Sequence, residues 1–314
     1  MAPEPETPRT LRVGVIGTGA LGRHHARILS QMPGADMVGI HDRNVATADA
    51  IAREHGVRSW PTLEALAENV DAAVVAVPTV AHAEIGCWLL ERGIHVLVEK
   101  PIASSLAEAD RLLAAARDRV LAVGHVEFFN PAVQALRSVG APRFLEVQRL
   151  AVFTPRSLDV DVVLDLMIHD IQILHALDPS PLREVRATGI AVLSERVDIA
   201  NARLALESGC VANLTASRVS AERIRKLRAF LPNSYYSLDY QAQEIKGYRL
   251  ADGAGGKRQI FPDDLPVERA EPLRRELEGF LAACRGETAP LVSGAQGRQA
   301  LATALEVGKA ILSS

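Results

Sequence analysis

Between residues 11 and 123, short apolar runs recur between stretches of helical period. Residues 11–16 are apolar enough to fill a buried parallel strand, and residues 37–40, 72–77, 95–98 and 121–123 repeat the signal. Residues 82–92 and 106–116 carry the period of amphipathic helices. This alternation predicts a mostly parallel, twisted sheet covered by helices. The first domain is expected to span residues 1–125, with a short flexible leader at its start. Beyond it the texture changes. Residues 144–153, 185–193, 202–206, 211–217 and 227–231 read as strands, and 160–177, 272–284 and 294–312 as helices. That order predicts a second α/β domain over residues 126–314, with a largely antiparallel sheet and helices on one face. The other face must be solvated or covered, and subunit pairing is one way to cover it.

Composition narrows the classes without naming one. A chain of 314 residues that is 48% hydrophobic and 23% charged suits a two-domain soluble enzyme. A net charge of −3 and the lack of basic repeats with interleaved aromatics argue against a nucleic-acid surface. Cys87, Cys210 and Cys284 form no metal-ligand or redox motif, so free thiols in the cytoplasm are expected. The opening MAPEPETPRT lacks the basic start and apolar core of a signal peptide. No apolar run is long enough to span a bilayer, so no membrane insertion is expected.

The chemistry begins with VGVIGTGALG, residues 13–22, and with Asp42, which lies 20 residues beyond Gly22. Gly17 allows a sharp turn from strand to helix, Gly19 lets backbone approach a diphosphate, and Gly22 lets the helix pack on the strand. The opening amides of that helix, through Ala20 and Leu21, favour a negative diphosphate. Asp42, ending the second strand, is placed to hold ribose hydroxyls. Its carboxylate would repel a 2′-phosphate, which favours NAD, while the adjacent Arg43 leaves NADP as the alternative.

Further along, VLVEKP puts Glu99, Lys100 and Pro101 at the carboxyl end of a strand, where open α/β sheets bind ligands. A lysine there supplies positive charge near a substrate oxygen or ends a turn in solvent. In LDLMIHDIQIL, Asp165 and His169 are four residues apart and share a helical face, whereas Asp170 points elsewhere. Histidine suits the removal of a hydroxyl proton near neutral pH. The adjacent His24 and His25 point in different directions, His24 toward cofactor or packing and His25 toward solvent. The scattered histidines and acids give no compact metal set, and no metal is expected.

Taken together, VGVIGTGALG, AVPTVAH (residues 76–82), VEKP and the Asp165–His169 pair resemble the glucose–fructose oxidoreductase, inositol dehydrogenase and rhizopine-catabolism (Gfo/Idh/MocA) family. The resemblance implies an N-terminal Rossmann domain and a C-terminal domain whose sheet often supports a homodimer or homotetramer. It also implies a cofactor set that adds Pro78, Thr79, His82, Glu99 and Lys100 to the glycine loop. Lys100 and His169 enter its catalytic constellation, with Asp165 as a substrate-contacting neighbour. GHVEFFNPAV (residues 124–133) and SRVSAERIRKLRAF (residues 217–230) are further similar to bacterial UDP-sugar 3-dehydrogenases, in which arginine is common where this chain has Phe128. That likeness implies oxidation at C3 of UDP-N-acetylglucosamine, and an aminotransferase downstream that makes a 3-amino sugar for lipid A. Asn130 would then contact the sugar or cap the helix begun by Pro131, and Arg149 and Arg156 would approach the diphosphate or remain solvated. A free-sugar or inositol dehydrogenase and a non-catalytic NAD-responsive regulator are the alternatives.

Overall fold

The computed structural model describes residues 9–154, 160–253 and 257–313. The expected leader falls mostly outside them. The chain folds as two units, the first formed by residues up to Gly124 plus Leu273–Arg298, the second by His125–Pro272 and the residues from Gln299 on.

In the first unit the elements run β1 (Leu11–Ile16), α1 (Gly22–Leu29), β2 (Ala35–His41), α2 (Val45–His55), β3 (Arg58–Ser59), α3 (Leu63–Ala67), β4 (Ala72–Val75), α4 (His82–Leu90), β5 (His95–Glu99), α5 (Leu106–Ala116) and β6 (Leu121–Gly124). The six strands pair in parallel in the order β3-β2-β1-β4-β5-β6, a doubly wound sheet. Local chemistry sets the helix ends. Asn44 caps α2 by accepting from the Thr47 amide at 3.2 Å, and Ser105 caps α5 by accepting from the Glu108 amide at 3.3 Å.

The second unit contains α6 (Pro131–Arg137), β7 (Phe144–Leu150), a π-helical turn (Val163–Met167) leading into α7 (Ile168–Leu177), then β8 (Leu182–Ile190), β9 (Ile199–Leu206), β10 (Val211–Ser217), β11 (Ile224–Leu231), β12 (Ser234–Asp239), β13 (Glu244–Asp252) and β14 (Arg258–Pro262). Its eight strands lie in the order β14-β13-β12-β11-β7-β10-β9-β8, and only β7 and β10 pair in parallel. Leu145, Val147, Ala202, Leu214 and Leu227 project from the sheet into a core shared with Ala132 and Val133 of α6 and Ile168 and Ile171 of α7. The opposite face is polar, with Asn201 bonded to Thr215 at 2.9 Å and Arg228 paired with Glu146 at 3.0 Å.

The C-terminal helices divide differently from the expectation. Helix α8 (Pro272–Cys284) was expected in the second domain, yet Leu277, Phe280 and Leu281 complete the core of the first unit, beside Val13, Ile28 and Leu97. In α9 (Gly294–Leu312), Ala300, Ala304 and Val307 belong to the second core. Among the described residues no helix is long and apolar enough to cross a membrane.

Candidate functional site

At the carboxyl end of β1 the backbone geometry explains each glycine. Gly17 has φ +89°, and a Cβ there would lie 2.4 Å from the Ala76 carbonyl oxygen. A Cβ on Gly22 would lie 1.8 Å from the Gly17 carbonyl oxygen, so α1 can start only where no side chain intervenes. Gly19 is different. Nothing lies within 4 Å of a Cβ built there, which leaves its backbone open to a diphosphate above the first turn of α1.

Asp42 closes the other side of this loop. Its carboxylate accepts from the Thr18 amide at 2.6 Å, the Thr18 hydroxyl at 2.8 Å and the Asn44 amide at 2.8 Å. Burial works to raise its pKa, but the Asn44 and Thr18 donors outweigh it and hold the group below the ordinary aspartate value. An anion fixed beside an open glycine loop fits a ribose diol and disfavours a 2′-phosphate, so these residues suit NAD. Arg43 is exposed next to it.

The other expected cofactor residues sort by what they touch. Pro78 is exposed and Thr79 half-buried, just past the end of β4. His82 is buried, and its ring ties two loops, with Nδ1 2.9 Å from the Pro101 carbonyl oxygen and Nε2 2.9 Å from that of Val77. Burial lowers its pKa in spite of those carbonyls, and a neutral ring donates to only one of them. Glu99 turns into the protein, where its Oε1 lies 2.6 Å from Nε2 of His25. His82 thus ties the loops that follow β4 and β5, and Glu99 bonds a buried histidine of α1. Lys100 is half-buried at the following position.

The expectation for His25 reverses. His25 is fully buried and His24 is exposed, because the inward face of α1 runs through Gly22, His25, Ala26 and Leu29. The expectation of no compact metal-type set also needs correcting. Ligand atoms of His25, Glu99 and Glu276 lie within 4.8 Å of one another, brought together from α1, β5 and α8. Glu276 was missed, although it lies four residues before Phe280 on the inward stripe of α8.

In the second unit His169 is nearly buried on α7, and the ring of His125 meets it edge-on at 5.8 Å between centroids. His125 was also missed, and its place directly after β6 is the signal that pointed to it. Asp165 is half-buried within the π-helical turn, so the segment leading to His169 is not the uniform α-helix expected. Such turns widen the helix and recur at functional sites.

Asn130 is buried and committed at both ends. Its Oδ1 accepts from the Ala132 amide at 3.1 Å, capping α6, and its Nδ2 donates to the Tyr240 carbonyl at 2.9 Å. It holds the capping role that the sequence offered. Arg149 is corrected because it is likewise engaged. It points inward with Leu145 and Val147, donates Nε and Nη2 to Asp170 at 2.8 and 2.7 Å, and donates Nη1 to Glu127 at 2.9 Å. Burial pulls its pKa down, but Asp170 and Glu127 together push it well above the ordinary value, so this guanidinium is a fixed internal charge. Arg225, one-third exposed, donates to the same Glu127 at 2.9 Å. Arg156 lies outside the described residues. Phe128 is fully buried, edge-on to Phe129 at 5.2 Å between ring centroids.

Residues 11–125 match the family described as oxidoreductase family, NAD-binding Rossmann fold. The chain is 38% identical over 306 residues to a UDP-N-acetylglucosamine 3-dehydrogenase of Acidithiobacillus ferrooxidans, covering 96% of this chain and 97% of that one. A solved structure of the Acidithiobacillus ferrooxidans enzyme superposes with a TM-score of 0.90 at 37% identity, over 96% of this chain and 97% of its own. An inositol 2-dehydrogenase of Rhizobium meliloti is 28% identical over 317 aligned positions, covering 94% of this chain and 95% of that one. With a likeness that runs end to end, the chain belongs to the Gfo/Idh/MocA oxidoreductase family and is an NAD-dependent dehydrogenase.

Proposed function

We propose that the chain oxidises the C3 hydroxyl of UDP-N-acetylglucosamine to a 3-keto sugar. The observation that carries this reading is the full-length 38% identity to the dehydrogenase named for that substrate. The inositol dehydrogenase covers as much of the chain at 28%, which favours the nucleotide sugar over a free polyol. NAD, when bound, supplies the hydride acceptor. The chain's own residues handle the proton and the charge. His169 accepts the hydroxyl proton, since an imidazole takes and releases protons near neutral pH. Lys100 stabilises negative charge developing on the substrate oxygen. Asp165, one turn before His169, orients the ring or holds a neighbouring sugar hydroxyl. With Arg149 and Asn130 engaged internally, the diphosphate falls to a more exposed cation, and Arg225 is the best candidate among the described residues.

The same reading carries a cytoplasmic homodimer or homotetramer paired across the polar face of the second unit's sheet, with an aminotransferase acting on the product for lipid A.

The test is nicotinamide absorbance with NAD and UDP-N-acetylglucosamine, with mass detection of a product lighter by two hydrogens. H169A and K100A, folded and binding NAD, are each expected to lose about a hundredfold or more in turnover. Near-normal turnover in both variants would sink the mechanism, and activity only on free sugars would sink the substrate.

A further inference from the structure

The first unit contains a buried cluster that the reaction scheme above does not use. His25 reaches in from α1, Glu99 from the end of β5 and Glu276 from α8, and all three are nearly or fully buried. His25 Nε2 and Glu99 Oε1 are hydrogen-bonded at 2.6 Å, while His25 Nδ1 and both Glu276 oxygens have no hydrogen-bond partner among the described residues. The other oxygen of Glu99 accepts from the Lys100 amide at 3.3 Å. A Cβ at Gly124 would lie 3.0 Å from that same oxygen, so the Glu99 carboxylate would have to give by a few tenths of an ångström to admit one.

Charge decides what this cluster holds. Two carboxyls and one imidazole are gathered here, and among the described residues no lysine or arginine pairs with either acid. An isolated buried carboxylate is costly, so the deficit must be met by a metal cation or by a proton. Distance separates the two. Ligands bound tetrahedrally at about 2.0–2.2 Å from a divalent ion sit more than about 3 Å apart. The 2.6 Å between Nε2 and Oε1 is a hydrogen-bond length. A proton is the occupant that this spacing fits. The groups around Glu276 agree, since burial, reinforced by repulsion from Glu99, raises its pKa well above the ordinary glutamate value. The titratable neighbours of Glu99 are His25, Glu276, Lys100 and His82.

We infer that His25, Glu99 and Glu276 form a proton-holding cluster in which Glu276 is a neutral acid and the His25–Glu99 hydrogen bond positions the backbone of Lys100. The inference deepens the proposed function and rests on the role given there to Lys100. Glu99 and His25 act as positioning residues: they fix where the lysine starts and do not touch substrate.

Infrared difference spectroscopy of the NAD-loaded protein against E276Q at neutral pH reads the acid directly. The carbonyl stretch of a protonated carboxyl is expected in the wild type and absent from E276Q. Its absence from both, or a divalent metal present at one per chain in the wild type and lost in E276Q, would overturn the proton assignment. For positioning, E99Q is expected to lower kcat about tenfold with KM for the sugar nucleotide and affinity for NAD within about threefold. Should E99Q fail to fold, H25Q serves instead, with a kcat loss of several fold and the same unchanged KM. Unchanged kcat in the folded variant, beside an inactive K100A, overturns positioning alone. Active K100A beside a slow E99Q would refute the role of Lys100 while leaving the acid band intact.

Discussion

Each unit buries charge, and the two neutralise it by different means. In the second unit Arg149 spans Asp170 and Glu127 with three donors at 2.7–2.9 Å, and Tyr240 closes the cluster with its hydroxyl 3.5 Å from Asp170. In the first unit Glu276 has no guanidinium to meet, and burial beside Glu99 raises its pKa, in keeping with the proton assigned to it above. A permanent cation makes the Arg149 cluster intolerant of losing a member, even though burial raises the pKa of Asp170 beside it. A proton makes the Glu276 cluster responsive to pH and open to a neutral substitute. Opposite charge signs in the core thus do not follow one rule. They follow whichever cation the topology delivers.

The largest effect should come from R149M. It leaves Asp170 buried without its cation and Glu127 with Arg225 alone, and a buried charge stripped of its partner typically costs about 3–5 kcal/mol. The guanidinium chloride midpoint should fall accordingly, and a loss below about 1 kcal/mol would erase the contrast with Glu276.

Next in size is G22A, which sets a methyl group against the Gly17 carbonyl 1.8 Å away. Overpacking of this kind costs about 1–3 kcal/mol. NAD affinity, followed by fluorescence titration, should weaken about tenfold or more as the helix start shifts. Unaltered binding would mean that the fingerprint loop relaxes freely.

The smallest change at any one acid pH is expected for E276Q, and its signature is a slope. Because the folded-state pKa of Glu276 is raised, its folded form binds the proton more tightly than the unfolded chain does. Its contribution is fully present below the unfolded value of about 4.3 and is lost as pH rises toward the folded value. Wild-type Tm should therefore fall as pH climbs from that point, and E276Q should flatten that part of the curve. An equal slope in both proteins would place the titration elsewhere.

Much of the fold was legible because its signals are local. The runs of β1, β4 and β5 are apolar on both faces, as central parallel strands require, and α5, α8 and α9 carry plain helical periods. Strands β12, β13 and β14 were missed because they lie toward the sheet edge, where alternate residues stay wet and the period is diluted by Lys246, Arg249 and Arg258. The π-helical turn before His169 was hidden as well, since one added residue per turn leaves the apolar pattern nearly intact. Arg149 was partly readable. It continues the inward alternation of Leu145 and Val147, a position that a solvated arginine would not occupy.

By itself the sequence determined the glycine turn, the Asp42 anion beside it, the parallel-sheet half and the change of texture after residue 125. These depend on what a Cβ, a φ angle or a run of apolar side chains permits within a few residues. Only the tertiary structure decided that α8 belongs with the first unit, that His25 faces inward, and that Glu276 joins Glu99 while Arg149 joins Asp170. Those outcomes turn on charge and burial, which act through space between residues up to 251 positions apart, from His25 to Glu276.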